Sequence, residues 1–218
     1  MTKKQAAKSP RTRLDPEAVV RAALELLDDK GADAVSIRGI ADRLGVRMNT
    51  VLWHAKTKQR LLELMADAIA ADVRLDGLPE PWEERVRELA HRYRRALLGY
   101  RDGAAIVTGI YAAEPATLRF ADTMIEALLD GGLPEREAAW ACWSVVYFLL
   151  GLVQEEQASP VADGNRFTKT LASGGYPALA RVAAHLEETS FDGRFDYGLS
   201  LILRSLREEA AARGVSRD

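Results

Sequence analysis

The stretch from Ser36 to Lys58, SIRGIADRLGVRMNTVLWHAKTK, limits what this chain can fold into more than any other, because its spacing calls for two short helices across one tight turn. Ile37, Ile40, Ala41 and Leu44 fall at i, i+3, i+4 and i+7, a single apolar stripe, and Ser36 stands where an N-cap is needed. Gly45 stops that helix. Val46 and Val51 pack the second helix against the first, leaving Arg47, Asn49, Thr50, Trp53 and His54 outward. These are hydrogen-bonding or phosphate-contacting side chains at the positions a recognition helix exposes. Thr57 caps a third helix whose first turn carries Lys58, so a cation and free backbone N–H groups meet where a phosphate can bind. The pattern predicts a helix-turn-helix that places side chains in the DNA major groove.

Charge is distributed to match. Residues 1–60 hold 13 Lys and Arg against 7 Asp and Glu, a net of +6, whereas residues 61–218 hold 17 against 25, a net of −8. A basic end on an acidic body is the asymmetry of a chain that turns one end to a polyanion. The leader MTKKQAAKSPRTR has nothing to bury, so residues 1–13 are expected to be a disordered basic arm, with Arg11 and Arg13 candidates for the minor groove. It lacks the apolar segment of a secretory signal. The longest apolar run, Ala138 to Val153, is too short and interrupted to span a bilayer comfortably. A single cysteine, Cys142, excludes an internal disulfide framework and fits a reducing compartment, so a cytoplasmic location is expected, with no membrane partner, cofactor or metal.

Helical patterns fill the chain. Asp15 is the N-cap and Pro16 the first residue of a helix through Val19, Val20, Ala23, Leu24 and Leu27 that stops near Gly31. Leu61, Leu62, Met65, Ile69 and Val73 form a connector helix to the break at Gly77, Pro79 and Pro81. Beyond it, helices are expected at about 82–100, 103–111, 115–130, 135–157, 176–189 and 193–212, with a loop from Ala158 to Ser173. No run alternates like a strand, so the fold class is all-α. The expected division is an arm at 1–13, a three-helix DNA-binding head at 14–60 and a ligand-binding and dimerisation body at 61–218. Two helices, one with Trp140, Trp143, Val146 and Leu149 and one with Phe195, Leu199 and Leu203, are apolar around much of their circumference. Either the pair is the core of a single chain, or a second copy covers the extra face in a homodimer suited to a palindromic double-stranded operator.

Catalysis is not expected. His54, His91 and His185 are far apart in sequence, and adjacent helical residues such as Glu155 and Glu156 point about 100° apart. The chain has no Gly-rich phosphate loop, nucleophile elbow or H-E-x-x-H.

RLDPEAVVRAALELLDDKG, LGVRMNTVLWHAKTKQRLL, RRALLGYRDGA and GLVQEEQ together resemble the tetracycline repressor family, in its branch closest to the tetracycline repressor, from Arg13 to about Leu206. The resemblance implies a homodimeric repressor whose heads separate when a small molecule enters the body and moves the connector. It implies that Arg38, Met48, Asn49, Thr50 and Leu52 face bases, with Trp53, His54 and Lys58 towards the backbone. Leu52 replaces the family's usual aromatic and Arg47 is basic where the branch tends to be acidic, so the operator should differ from the tetracycline operator.

The ligand site departs further. Val107 occupies the position of the relatives' magnesium-binding histidine, Ile110, Tyr111 and Ala112 the neighbouring polar positions, Arg74 the end of the connector, and Leu89 an amide position. Glu155 alone keeps its acidic character, and a lone carboxylate cannot hold a divalent ion, so magnesium-tetracycline is not the expected inducer. The expected pocket is apolar and aromatic, lined by Tyr93, Val107, Ile110, Tyr111, Phe120, Met124, Leu128, Trp143 and Tyr147. It suits a flat hydrophobic or aromatic effector, such as an antibiotic or polyketide. The alternative is a dimeric DNA-binding regulator with no ligand.

Overall fold

A computed structural model of the chain describes residues 14–158, 169–171, 174–186 and 190–214. The basic arm lies outside the described residues, as does most of the loop expected after Ala158. Every long element is a helix, and no strand occurs among the described residues.

The first four helices are α1 (Pro16–Lys30), α2 (Ile37–Leu44), α3 (Met48–Ala55) and α4 (Lys58–Ala71). Their starts obey the caps legible in the sequence. Asp15 Oδ1 accepts from Ala18 N at 2.6 Å, Ser36 Oγ from Gly39 N at 3.0 Å and Thr57 Oγ1 from Arg60 N at 3.0 Å. Gly45 ends α2 in the left-handed conformation, φ 64° and ψ 32°, where a Cβ would be strained. Leu27, Ile40, Val51, Ala55 and Leu61 are completely buried where these helices meet. Burying each of the larger side chains contributes about 1.5–3 kcal/mol, which holds together helices too short to persist alone.

The body consists of α5 (Trp82–Leu98), α6 (Gly103–Val107), α7 (Pro115–Asp130), α8 (Glu135–Ala158), α9 (Pro177–Leu186) and α10 (Phe191–Gly214). Helix α6 ends four residues before its expected limit, because Thr108 turns extended and Gly109 takes φ 77°. The apolar residues beyond it, Ile110 to Ala112, therefore lie on irregular chain. α7 packs on α4, α5 and α8, so the core runs continuously from the connector into the body through Met65, Ile69, Leu89, Met124, Leu128, Val145 and Leu149.

Helix α10 lies along α8. A Cβ on Gly198 would come within 2.4 Å of Phe148 Cζ, so the glycine is what lets the ring lie on the α10 backbone. Phe195, Leu199 and Leu203 are buried here, yet Trp140, Trp143 and Tyr147 on α8 and Tyr197 and Leu201 on α10 stay exposed. One protomer thus covers a single face of each helix.

Candidate functional site

The outward face of the head collects the side chains singled out in the sequence. Trp53 is 81% exposed and Met48 46%, Arg47, Asn49 and Lys58 are exposed, and Thr50, Leu52 and His54 are half-buried. Arg38 projects from α2 with a side chain 80% exposed, 3.9 Å from Asp42. Arg47 occupies the cap position of α3 with extended backbone and no side-chain cap. Arg43 is tied to Glu25 at 3.0 Å and Asp29 at 2.6 Å, joining α1 to α2. The face with Trp53 presents donors, a large ring and cations together, which is the composition a nucleic-acid surface needs.

Two sets of contacts tie the connector helix and the head to the rest of the body. Along α4, Arg60 pairs with Glu114 at 2.5 Å, Asp67 Oδ1 accepts from Thr117 N at 2.7 Å, and Tyr100 Oη donates to Asp72 Oδ2 at 2.7 Å. The Arg60 hydrogen bond holds the Glu114 carboxyl below its ordinary range. Burial and the Asp72 carboxylate push the Tyr100 phenol up to about 12.

The second set grips the end of α1. Asp102 Oδ2 accepts from Ala32 N at 2.8 Å, and Arg101 N donates to Asp28 Oδ1 at 2.9 Å. Asp102 sits at φ 55°, a conformation aspartate tolerates better than most residues. The same turn is fastened to α8: Gln157 Nε2 donates to Leu97 O at 3.1 Å and Tyr100 O at 2.8 Å, and its Oε1 accepts from Ala104 N. Gln154 Nε2 donates to Thr108 Oγ1 at the other end of α6. Nothing in the periodicity of the sequence marks Arg101, Asp102, Gln154 or Gln157 as functional. The RDG sequence signals a turn, but nothing in it identifies the partner of that turn.

The residues expected around a ligand fall into separate groups. Tyr93, Phe120, Met124, Leu128, Val107 and Leu89 are buried together among α5, α6, α7 and α8, with the Tyr93 and Phe120 ring centroids 4.5 Å apart. Burial pushes the Tyr93 phenol up and the Cys142 thiol up to about 11, so both stay protonated at neutral pH. Tyr111, Trp143 and Tyr147 instead form an exposed aromatic cluster, Tyr111 edge-to-face with Trp143 at a centroid distance of 5.7 Å and Trp143 stacked on Tyr147 at 5.4 Å. Ile110 is half-buried and Glu155 is exposed on α8.

Arg74 lies elsewhere, bidentate to Asp76 at the rim of a cleft of about 590 Å³ that also includes Asp72, Arg92 and Tyr100. Opposite charges alternate around this cleft, in contrast to the buried aromatic group. A buried cation anchors the body. Arg94, 7% exposed, is bonded to Glu156 at 2.8 Å and Asp192 at 2.5 Å, and lies over the Phe195 ring. Burial opposes its charge, but the two carboxylates outweigh that and hold its pKa above the ordinary value.

A helix-turn-helix head joined through a shared connector helix to a helical body is the architecture of a DNA-binding transcriptional regulator. The family described as bacterial regulatory proteins, tetR family, matches residues 19–65, and the tetracyclin repressor-like C-terminal domain matches residues 77–210. A class C tetracycline repressor protein from Escherichia coli is 35% identical over 202 residues, covering 90% of this chain and 92% of the relative. The Streptomyces coelicolor TetR family protein ActR, solved in complex with actinorhodin, superposes with a TM-score of 0.81 at 25% identity over 89% of this chain and 96% of that one. BioQ, solved with its natural double-stranded DNA operator, gives 0.68 at 25% identity over 89% of this chain and 99% of that one. The chain belongs to the TetR family of DNA-binding transcriptional repressors.

Proposed function

We propose that this repressor acts in the cytoplasm as a homodimer, gripping a palindromic double-stranded operator with two heads and releasing it when a hydrophobic or aromatic small molecule enters the body. The working units are the arm at 1–13, the head at 14–60 and the body at 61–218. Arg38, Met48, Asn49, Thr50 and Leu52 face bases, Trp53, His54 and Lys58 contact the backbone, and Arg47 belongs to the same DNA-binding set. ActR with actinorhodin and BioQ with operator DNA support the two halves of this reading by likeness.

The observation that carries it is the position of α4 and α6. α4 packs on α1 and α3 in the head and on α5, α6 and α7 in the body, while α6 lies between α4 and α8. A displacement at Val107, Ile110 or Tyr111 has a short path to the head, through α6 itself and through the Asp102 bond to Ala32. The chemistry of Tyr93, Val107, Phe120, Met124 and Leu128, extended by Tyr111, Trp143 and Tyr147, suits a flat apolar effector. It offers no set of ligands for magnesium, with Glu155 exposed and Leu89 and Val107 aliphatic.

Fluorescence anisotropy against duplexes flanking the gene, followed by titration of hydrophobic drugs and polyketides, tests the reading. Nanomolar, palindrome-dependent binding reversed by one of these compounds is expected. A ligand at 100 times its dissociation constant also stabilises the body by about 2.7 kcal/mol, visible as a thermal shift. Regulation without a ligand is a second reading, favoured by the tight burial of Tyr93, Met124 and Leu128 in this conformation. DNA binding that persists while no compound moves the thermal transition decides for it.

A further inference from the structure

We propose that Lys56 is an additional phosphate-contacting residue of the DNA interface, carried on a strained turn retained for its ammonium group. The inference rests on the DNA-binding reading of the head and adds a residue that this reading did not include. Lys56 ends α3 with φ 58° and ψ −50°, and Thr57 N donates across it to Ala55 O at 2.6 Å. That is a γ-turn of the positive-φ kind, which is rare and strained for a residue with a Cβ. Its only backbone companion among the described residues is Asp102, an aspartate, whereas lysine has no side-chain acceptor with which to ease the conformation.

The backbone path from α3 to α4 is served better by glycine, which reaches this conformation without a steric cost. What lysine supplies and glycine cannot is a charge. The surroundings leave that charge unused: Arg38, Arg43 and Arg60 each pair with carboxylates, but exposed Lys56 makes no ion pair among the described residues. It is exposed one residue beyond α3, three after exposed Trp53 and two before exposed Lys58. Strained residues of this kind persist where the side chain has work outside the fold.

Shape and charge separate in a set of variants of the full chain. Lys56→Gly relieves the turn and removes the charge, Lys56→Gln keeps the strain and removes the charge, and Lys56→Arg keeps both. Binding is measured by anisotropy on a random-sequence double-stranded DNA and on duplexes flanking the gene, over a range of salt, beside the thermal midpoint. The expected result is a midpoint for Lys56→Gly at or above wild type, with affinity lower by a similar factor on every duplex. The slope of log K against log salt should fall by about one per lost contact, and so by two in a dimer. Lys56→Gln should lose the same slope, which decides the matter even if Lys56→Gly fails to fold, and Lys56→Arg should retain it. Wild-type affinity and slope in Lys56→Gln overturn the assignment while leaving the head a DNA-binding unit. Absence of wild-type binding to any duplex overturns the DNA-binding reading, and Lys56 with it.

Discussion

Individual side chains on the head divide by chemistry into those that read sequence and those that hold the duplex. Lys58→Ala should weaken binding by a similar factor on all sequences and lower the salt slope by about one per contact. Asn49→Ala or Arg38→Ala should instead change discrimination at particular base pairs, by about 1–3 kcal/mol where the contact is bidentate. A panel of single-base operator variants distinguishes the two, and uniform loss from both classes would show that base and phosphate readers are misassigned. Glu114 gives a residue-level pH effect. Its carboxyl is held below the ordinary value of 4.5 by Arg60, so the folded state gains stability above that value and loses it as pH falls through the lowered one. Thermal midpoints measured down through that acid range should fall less steeply in Glu114→Gln than in wild type.

Helices communicate here through a few long-range polar bonds laid over a continuous apolar core. Gln157→Leu leaves Leu97 O, Tyr100 O and Ala104 N without their side-chain partner, and should cost about 1–3 kcal/mol in chemical denaturation. Asp102→Ala removes the acceptor for Ala32 N, so hydrogen exchange at that amide should quicken while exchange in the α7 core stays unchanged. Exchange unaltered at Ala32 would sink the idea that the α5–α6 turn restrains the head. The capped starts of α1, α2 and α4 were legible because Asp15, Ser36 and Thr57 act on amides three residues away. The end of α6 was not, since the apolar spacing continues through Ile110 to Ala112 while Thr108 and Gly109 turn the backbone out of the helix. The expected ligand residues were legible as apolar and aromatic, but not as a buried group and an exposed cluster, because that division depends on which face of α8 meets α7.

At the scale of the whole molecule, the exposed stripe of Trp140, Trp143, Tyr147, Tyr197 and Leu201 is the region a second protomer should cover. Light scattering on Trp140→Glu/Leu201→Glu is expected to give a monomer that keeps its helical content and loses affinity for palindromic DNA. An intact dimer in that variant would move the interface elsewhere. The all-helical class, the helix-turn-helix and family membership were legible in the order of residues alone, because helical periodicity, caps and turn residues act within a few positions of one another. That Arg94 meets Glu156 and Asp192, that Gln157 holds the turn gripping α1, and that Lys56 bears a positive φ was set by the packed fold. Those arrangements depend on chain segments far apart in sequence, or on the angle at which successive helices must join, and neither leaves a periodic trace in the order of residues.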